Sequence, residues 1–254
     1  MVTPQPTGQP VLALKAIGKE FGAIRALHGV DLQIFPGEVV GLMGDNGAGK
    51  STLVKIIAGN FPPSHGEIRF DGNAIRFTRP IDARAVGIEV VHQDLALADN
   101  LTASANVFLG RELKRRFGPF AFLDHKAMAA RALELFGELR SETRPHDLVK
   151  QMSGGQRQAV AIARTRLSNA RLVVMDEPTA AISVRQVEQV LSLIHRLKEQ
   201  GVAVMLISHR MPDVFAVCDR IVVMRRGEKR ADKAIGDTSP EEITSLITGA
   251  KEAA

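Results

Sequence analysis

Apolar residues fall along this chain in two rhythms, and the switch between them divides it. Residues 11–17 and 29–35 read as strands, the second alternating Val30, Leu32 and Ile34. Gly66-Glu67-Ile68-Arg69-Phe70 followed by Asp71-Gly72 reads as a hairpin, so the chain is expected to begin with an antiparallel β-region. In residues 38–43, Glu38 is followed by the short apolar run 39–43, the pattern of a buried strand at the start of a parallel core. Residues 172–175, 202–207 and 221–224 have the same texture, and 87–92 predicts one more short strand. Helical spacing first shows at Leu53, Ile56 and Ile57, with Gly59 as a stop.

Between Asp94 and Gln151 the strand runs vanish. Asp124 is placed to cap a helix carrying Ala129, Ala132, Leu133, Phe136 and Leu139 on one face. Five of the eleven phenylalanines (Phe108, Phe117, Phe120, Phe122 and Phe136) fall here, fitting either a docking groove or the packing of a small subdomain. The stretch predicts a helical insertion. From Ser153 onward helix and strand alternate, the α/β signature. Capping boxes are expected at Ser183 with Gln186, and at Ser239 with Pro240 and Glu242. The organisation expected is one α/β domain over 1–254. Residues 1–93 and 158–254 would form the core with its β-subdomain, and 94–157 the inserted helical subdomain.

The chemistry begins after the run at 38–43. Gly44-Asp45-Asn46-Gly47-Ala48-Gly49-Lys50-Ser51-Thr52 matches the phosphate-binding pattern G-x-x-x-x-G-K-[ST], between a strand and a helix as the pattern requires. Its glycines let consecutive N–H groups converge on one anion, and the helix adds a positive end worth about half an elementary charge. Lys50 has the reach for β- and γ-phosphates, and the Ser51 hydroxyl suits Mg²⁺. The run at 172–175 ends in Asp176 and Glu177. Asp176 is placed to hold Mg²⁺, and Glu177 to polarise an attacking water as general base. A nucleoside triphosphate and Mg²⁺ are therefore the expected ligands.

Met152-Ser153-Gly154-Gly155-Gln156 opens another helix, and Ser-Gly-Gly there is either a second anion site or an ordinary serine cap. One nucleotide does not need two such sites on one side of one chain. Ser153, Gly154, Gly155 and Gln156 are thus expected to close on the γ-phosphate held by another copy. Gln93, between a strand and the insertion, could sense the γ-phosphate or Mg²⁺; His209, at the end of the strand Val202 to Ser208, could donate to phosphate. Phe21 either stacks on adenine or fills the core.

Composition narrows the class only a little. At 254 residues and 45% hydrophobic, the chain can bury a real core, and its net charge of +5 is mildly basic. The short runs Lys114-Arg115-Arg116 and Arg225-Arg226 read as solvated faces. Cys218 is the only cysteine, which excludes an intramolecular disulfide and suits a reducing compartment. No apolar run approaches the roughly 18 residues of a spanning helix, and no signal peptide is evident. A cytoplasmic chain is expected, touching a membrane through a partner.

Taken together, 44–52, Gln93, 152–156, 173–177 and Ile207-Ser208-His209 resemble, in order and spacing, the Walker A, Q-loop, signature, Walker B and H-loop of ABC-type ATPases. The resemblance covers nearly the whole chain. It implies a RecA-like P-loop NTPase core with an antiparallel β-subdomain and an inserted helical subdomain. It also implies a head-to-tail sandwich in which each ATP lies between one chain's Walker A and the other's signature. Within the family, Asn106-Val107-Phe108-Leu109-Gly110-Arg111-Glu112, Pro178-Thr179-Ala180-Ala181 and Leu246-Ile247-Thr248-Gly249-Ala250 resemble bacterial carbohydrate importers of the ribose, xylose and fructose kind. That implies permease subunits as partners, a periplasmic binding protein indirectly, no nucleic acid, and a place on the inner face of the cell membrane. Many such importers fuse two ATPase halves; with one half here, dimers are expected between chains. The rival expectation is a soluble ABC ATPase clamping ribosome or DNA; an exporter ATPase is disfavoured because no membrane domain is fused. Two positions depart from the pattern: Met152 replaces the usual signature Leu, and Ser183 stands where many relatives carry the D-loop Asp.

Overall fold

The computed structural model describes residues 8–91, 97–139, 141–167, 170–180 and 183–250. In chain order the elements are β1 (Leu12–Phe21), β2 (Ile24–Ile34), β3 (Val39–Met43), α1 (Lys50–Ile57), β4 (His65–Phe70), β5 (Asn73–Ile75), α2 (Pro80–Ala85) and β6 (Ile88–Val91). Then come α3 (Ala103–Val107), β7 (Lys114–Phe117), β8 (Phe120–Leu123), α4 (His125–Glu138) and α5 (Gly154–Arg166). The last are β9 (Leu172–Asp176), α6 (Val184–Glu199), β10 (Ala203–Ile207), α7 (Met211–Val217), β11 (Arg220–Arg225), β12 (Glu228–Ala234) and α8 (Pro240–Thr248). The backbone divides into two compact units. One holds Met1–Val90, Arg171–Glu177 and Ile194–Ala254; the other holds Val91–Ala170 and Pro178–Leu193.

The first unit contains two sheets. A four-stranded sheet runs β2-β1-β4-β5 with antiparallel pairing, as the alternating runs and the Asp71-Gly72 turn require. A six-stranded sheet runs β12-β11-β3-β10-β9-β6. Within it β3, β9, β10 and β11 are parallel neighbours, and every residue of β3 and β10 is buried. Unbroken apolar runs are thus the central strands, for want of a solvent face. One core of aliphatic side chains joins both sheets, from Leu12, Ile17 and Leu32 to Leu53, Ile56, Val174 and Met205.

An ionic network fastens β3 to β11. Arg220 donates from Nε to Glu38 Oε1 at 2.9 Å, from Nη1 to Asp232 Oδ1 at 2.5 Å and from Nη2 to the Gln33 carbonyl at 2.6 Å. Glu38 also accepts from the Phe35 N–H at 2.9 Å. Next to it, Asp219 accepts from the Val39 N–H at 2.9 Å and from Lys198 at 2.5 Å. Cys218, beside this network, is buried, which pushes its thiol pKa upward, as a core-filling cysteine requires.

In the second unit, α3, α4 and α5 pack around Val107, Phe108, Met128, Ala132, Leu135, Phe136 and Val160. Asp124 caps α4 as expected, accepting from the Ala127 N–H at 3.0 Å. The buried face of α4 is rotated from the expected one: Met128 and Leu135 are inside, while Leu133 is 58% exposed. The helical insertion also carries strands that its sequence pattern did not predict. Lys114–Phe117 and Phe120–Leu123 form an antiparallel ribbon, and all eight of its residues are exposed. Of the five phenylalanines, Phe108 and Phe136 are core and the other three lie on this ribbon.

Asn106 is fully buried and bound on both sides of its amide. Its Oδ1 accepts from the Ala98 N–H at 2.8 Å, and its Nδ2 donates to the carbonyls of Ala98 at 3.0 Å and Thr102 at 3.1 Å. It ties the segment before α3 to the helix. Asn106→Ala is expected to strand those backbone groups and cost about 1–3 kcal/mol, read as a lower melting temperature.

Candidate functional site

The order β3-β10-β9 places three strand ends side by side on one edge of the sheet. All three strands are parallel, so the loop after β3, the Asp176-Glu177 pair at the end of β9 and Ser208-His209 after β10 emerge together. The carboxyl edge of a parallel sheet is where α/β folds bind ligands.

Residues 44–49 after β3 form a tight loop whose local geometry demands glycine. Gly44 has φ 152°, and a Cβ there would lie 2.2 Å from the Met224 carbonyl oxygen of β11. Gly47 has φ 80°, a left-handed conformation other side chains rarely adopt. Asp45, Asn46 and Gly47 are exposed, Ala48 is buried, and α1 begins at Lys50 with Gly49 as its N-cap residue. Ser51 and Thr52 lie in the first turn of α1.

Lys50 folds back over its own loop. Its Nζ donates to the carbonyls of Gly44 at 2.5 Å and Asp45 at 2.9 Å. Burial lowers its pKa from the ordinary value, against the opposing pull of Glu177, Asp45 and Asp176. Lys50 therefore sits among these carboxylates, and a phosphate bound in the loop would draw the same ammonium outward.

Glu177 is strained in a way that aims it. Its φ is 50°, left-handed for a residue with a side chain, and its N–H is held by the Ile207 carbonyl at 2.9 Å. His209 Nδ1 lies 2.8 Å from Glu177 Oε2, within ion-pair distance when the ring is protonated. That oxygen is buried and has no other hydrogen-bond partner. A buried carboxylate oxygen with spare acceptor capacity is what a general base needs. His209 itself is exposed, free to turn a ring N–H toward a ligand. Ser51 and Asp176 offer a hydroxyl and a carboxylate, hard oxygen donors of the kind Mg²⁺ takes alongside phosphate oxygens and water. The donor set fits that ion.

Phe21 ends β1 and is 47% exposed, so it is not a core residue. It meets Phe61 edge to face at 5.4 Å, with Lys19 Nζ 5.2 Å from its ring centre. Gln93 lies outside the described residues.

In the second unit Ser153 is the N-cap of α5 and forms a full capping box with Gln156. Ser153 N–H donates to Gln156 Oε1 at 2.9 Å, and Gln156 N–H to Ser153 Oγ at 3.3 Å. Gly154 and Gly155 open the helix with backbone N–H groups. A Cβ at Gly155 would meet the end of the exposed Gln189 side chain on α6, at 2.8 Å from its Oε1. Met152 packs against the helical core, as a volume-conserving replacement for Leu should. Sequence reasoning missed Gln158, which is buried and donates to the Pro178 carbonyl at 2.6 Å. It anchors the residue that follows Glu177, and its polar type inside an apolar helix face was the available signal.

The two further capping boxes are only half formed. At α8, Ser239 Oγ accepts from the Glu242 N–H at 3.3 Å, but the Glu242 carboxylate turns to Thr238 and Lys233, each at 2.8 Å. At α6, Gln186 Oε1 accepts both the Ser183 N–H at 2.8 Å and the Ser183 hydroxyl at 2.9 Å. The Gln186 N–H goes to the Ser183 carbonyl at 2.9 Å, so the serine oxygen is a donor here. Ser183→Ala should therefore cost less than a typical lost cap, below about 1 kcal/mol. Ser183→Asp should restore an N-cap acceptor once Gln186 turns away, leaving the melting temperature near wild type. Thermal melts of both variants check this.

A phosphate loop and a carboxylate pair on the carboxyl edge of a parallel sheet define a P-loop nucleotide-binding ATPase. The ABC transporter family profile matches residues 27–180, and the chain belongs to that family. It is 43% identical to the xylose/arabinose import ATP-binding protein XylG of Sulfolobus acidocaldarius, covering 94% of each chain. It is 41% identical to the fructose import ATP-binding protein FrcA of Rhizobium meliloti, covering 96% of each. The ribose import ATP-binding protein RbsA of a Jannaschia species is 39% identical, and there the chain spans about half (48%) of the relative. Among solved structures, a nucleotide-free ATP-binding cassette of an ABC transporter superposes with a TM-score of 0.79 at 25% identity, covering 94% of this chain and 95% of that one. The dimeric cassette MJ0796 with ADP and Pi gives 0.72 at 29% identity, covering 88% and 98%.

Proposed function

We propose that this chain is the ATP-hydrolysing, energy-coupling subunit of an importer for a monosaccharide. The observation that carries the reading is the shared edge of β3, β9 and β10, which sets Lys50 among Asp45, Asp176 and Glu177. The import proteins for xylose/arabinose, fructose and ribose among its relatives support the transport role and the sugar.

In this reading the N–H groups of the loop from Gly44 through Asp45, Asn46, Gly47, Ala48 and Gly49 to Thr52 hold the phosphates. Lys50 neutralises the β- and γ-oxygens, and Phe21 offers its exposed face to the adenine. Ser51, Asp176 and Gln93 would hold Mg²⁺, which supplies charge neutralisation on the phosphates when bound. Glu177 takes a proton from the attacking water, and His209 donates to the γ-phosphate. Ser153, Gly154, Gly155 and Gln156 of a second copy close the site. The dimeric state of MJ0796 with ADP and Pi supports that pairing. Permease subunits in the membrane would receive the motion, with a periplasmic binding protein upstream of them. The chain then works at the inner face of the membrane; among the described residues no helix is long and apolar enough to cross it.

Co-purification from native membranes tests the reading. Permease-like subunits are the expected companions. Ribosomal proteins or DNA in their place would favour the clamp ATPase and contradict the transport role.

A further inference from the structure

The ribbon of β7 and β8 contributes no residue to the nucleotide site, and its chemistry is unusual. Two-stranded ribbons are marginal in water without a covering surface, yet this one is exposed on both faces. Its register pairs Arg115 with Phe122 and Phe117 with Phe120 on one face. Lys114 with Leu123, and Arg116 with Ala121, share the other. Phe117, Phe120 and Phe122 are 76%, 64% and 59% exposed, and Phe120 touches Phe122 at 6.4 Å between ring centres. Gly118 and Pro119 make the tip between the strands. At the base, the Asp124 N–H donates to the Leu113 carbonyl at 2.8 Å.

The charge around the ribbon is predominantly positive. Residues 111–126 carry five Lys or Arg (Arg111, Lys114, Arg115, Arg116 and Lys126) against two carboxylates. Both carboxylates are occupied: Glu112 accepts from the Gly110 N–H at 2.9 Å, and Asp124 from the Ala127 N–H at 3.0 Å. Cations therefore lie on both faces, with an aromatic cluster on one of them.

We propose that this ribbon is a lipid-contact element that enters the headgroup layer of an anionic bilayer tip first. A flat protein surface would meet one face of the ribbon and leave the cations of the other in water. A headgroup layer surrounds both. Phe117, Phe120 and Phe122 reach the acyl boundary, while Lys114, Arg115 and Arg116 bury their stems and keep their charges at lipid phosphates. The importer reading explains how the chain comes near a membrane; the contact itself rests on the ribbon alone.

The chain contains neither Trp nor Tyr, so a single introduced Trp reports without background. The test uses the purified full chain carrying Phe120→Trp and permease-free vesicles of phosphatidylcholine with about a third phosphatidylglycerol. Val184→Trp, at a residue 76% exposed outside the ribbon, is the control. The expected result is a blue-shifted emission for Phe120→Trp but not Val184→Trp, co-flotation with the vesicles, and neither effect with phosphatidylcholine alone. Reversing Lys114, Arg115 and Arg116 to Glu should weaken vesicle binding by about a hundredfold or more. Basal ATPase activity should stay unchanged in these ribbon variants, which shows that they are folded. No shift and no flotation with anionic vesicles, in a reporter that hydrolyses ATP normally, would overturn the proposal. Binding only to vesicles that contain the permease would also overturn it, assigning the ribbon to a protein partner. Failure here leaves co-purification with permeases unaffected, so the two readings fail separately.

Discussion

Replacing Glu177 by Gln is expected to slow ATP hydrolysis by about 10²–10⁴-fold while leaving ATP binding intact, because the amide keeps the shape and cannot take a proton. The left-handed backbone at Glu177 and its hydrogen bond to the Ile207 carbonyl do not depend on the carboxylate. The fold at the strand end should therefore survive. Steady-state ATPase assays and nucleotide titrations on the same preparation check both halves. Hydrolysis at the wild-type rate would remove Glu177 from the role of base. Lys50→Ala should behave in the opposite way and lose binding itself, since it deletes the one cation already seated in the loop.

The second large effect is structural and reaches the site from a distance. Arg220→Met is expected to destabilise the fold by about 3–5 kcal/mol, the usual cost of leaving a buried partner unpaired. The Glu38 side chain is only 7% exposed and would keep a single hydrogen bond from Phe35. Because Arg220 pairs with Val40 in the sheet, the same change loosens the strand that carries the phosphate loop. Replacing Glu38 by Met as well should recover much of the loss, since the uncompensated charge goes with it. Urea unfolding of the single and double variants measures this. A single variant as stable as wild type would show that the pair contributes nothing.

The central strands were legible because burial on both faces writes an apolar run, and the phosphate loop because its glycines answer local demands, Gly44 beside the Met224 carbonyl and Gly47 in a left-handed turn. Elements without a buried face were not. β12, Glu228-Lys229-Arg230-Ala231-Asp232-Lys233-Ala234, is mostly polar and is a strand because β11 offers it a partner. The β7–β8 ribbon shows no single buried face, so no alternation distinguishes inside from outside. On α4, Leu133 and Leu135 are chemically alike, and only tertiary packing decides which one turns inward. The serine caps at 153, 183 and 239 were visible as residue types. Which atom donates depends on where Gln186 and Glu242 find other partners, and local sequence does not specify that.

One chain's phosphate loop and another chain's Ser153–Gln156 segment are expected to enclose the same nucleotide. Sedimentation velocity of the Glu177→Gln variant, with and without ATP, tests it most directly. The expected result is a monomer without nucleotide and a dimer with ATP, stabilised by about 2.7 kcal/mol per site at a hundredfold excess over the dissociation constant. Adding Lys50→Ala to that variant should abolish the dimer. A monomer under both conditions, in protein shown by titration to hold ATP, would contradict it.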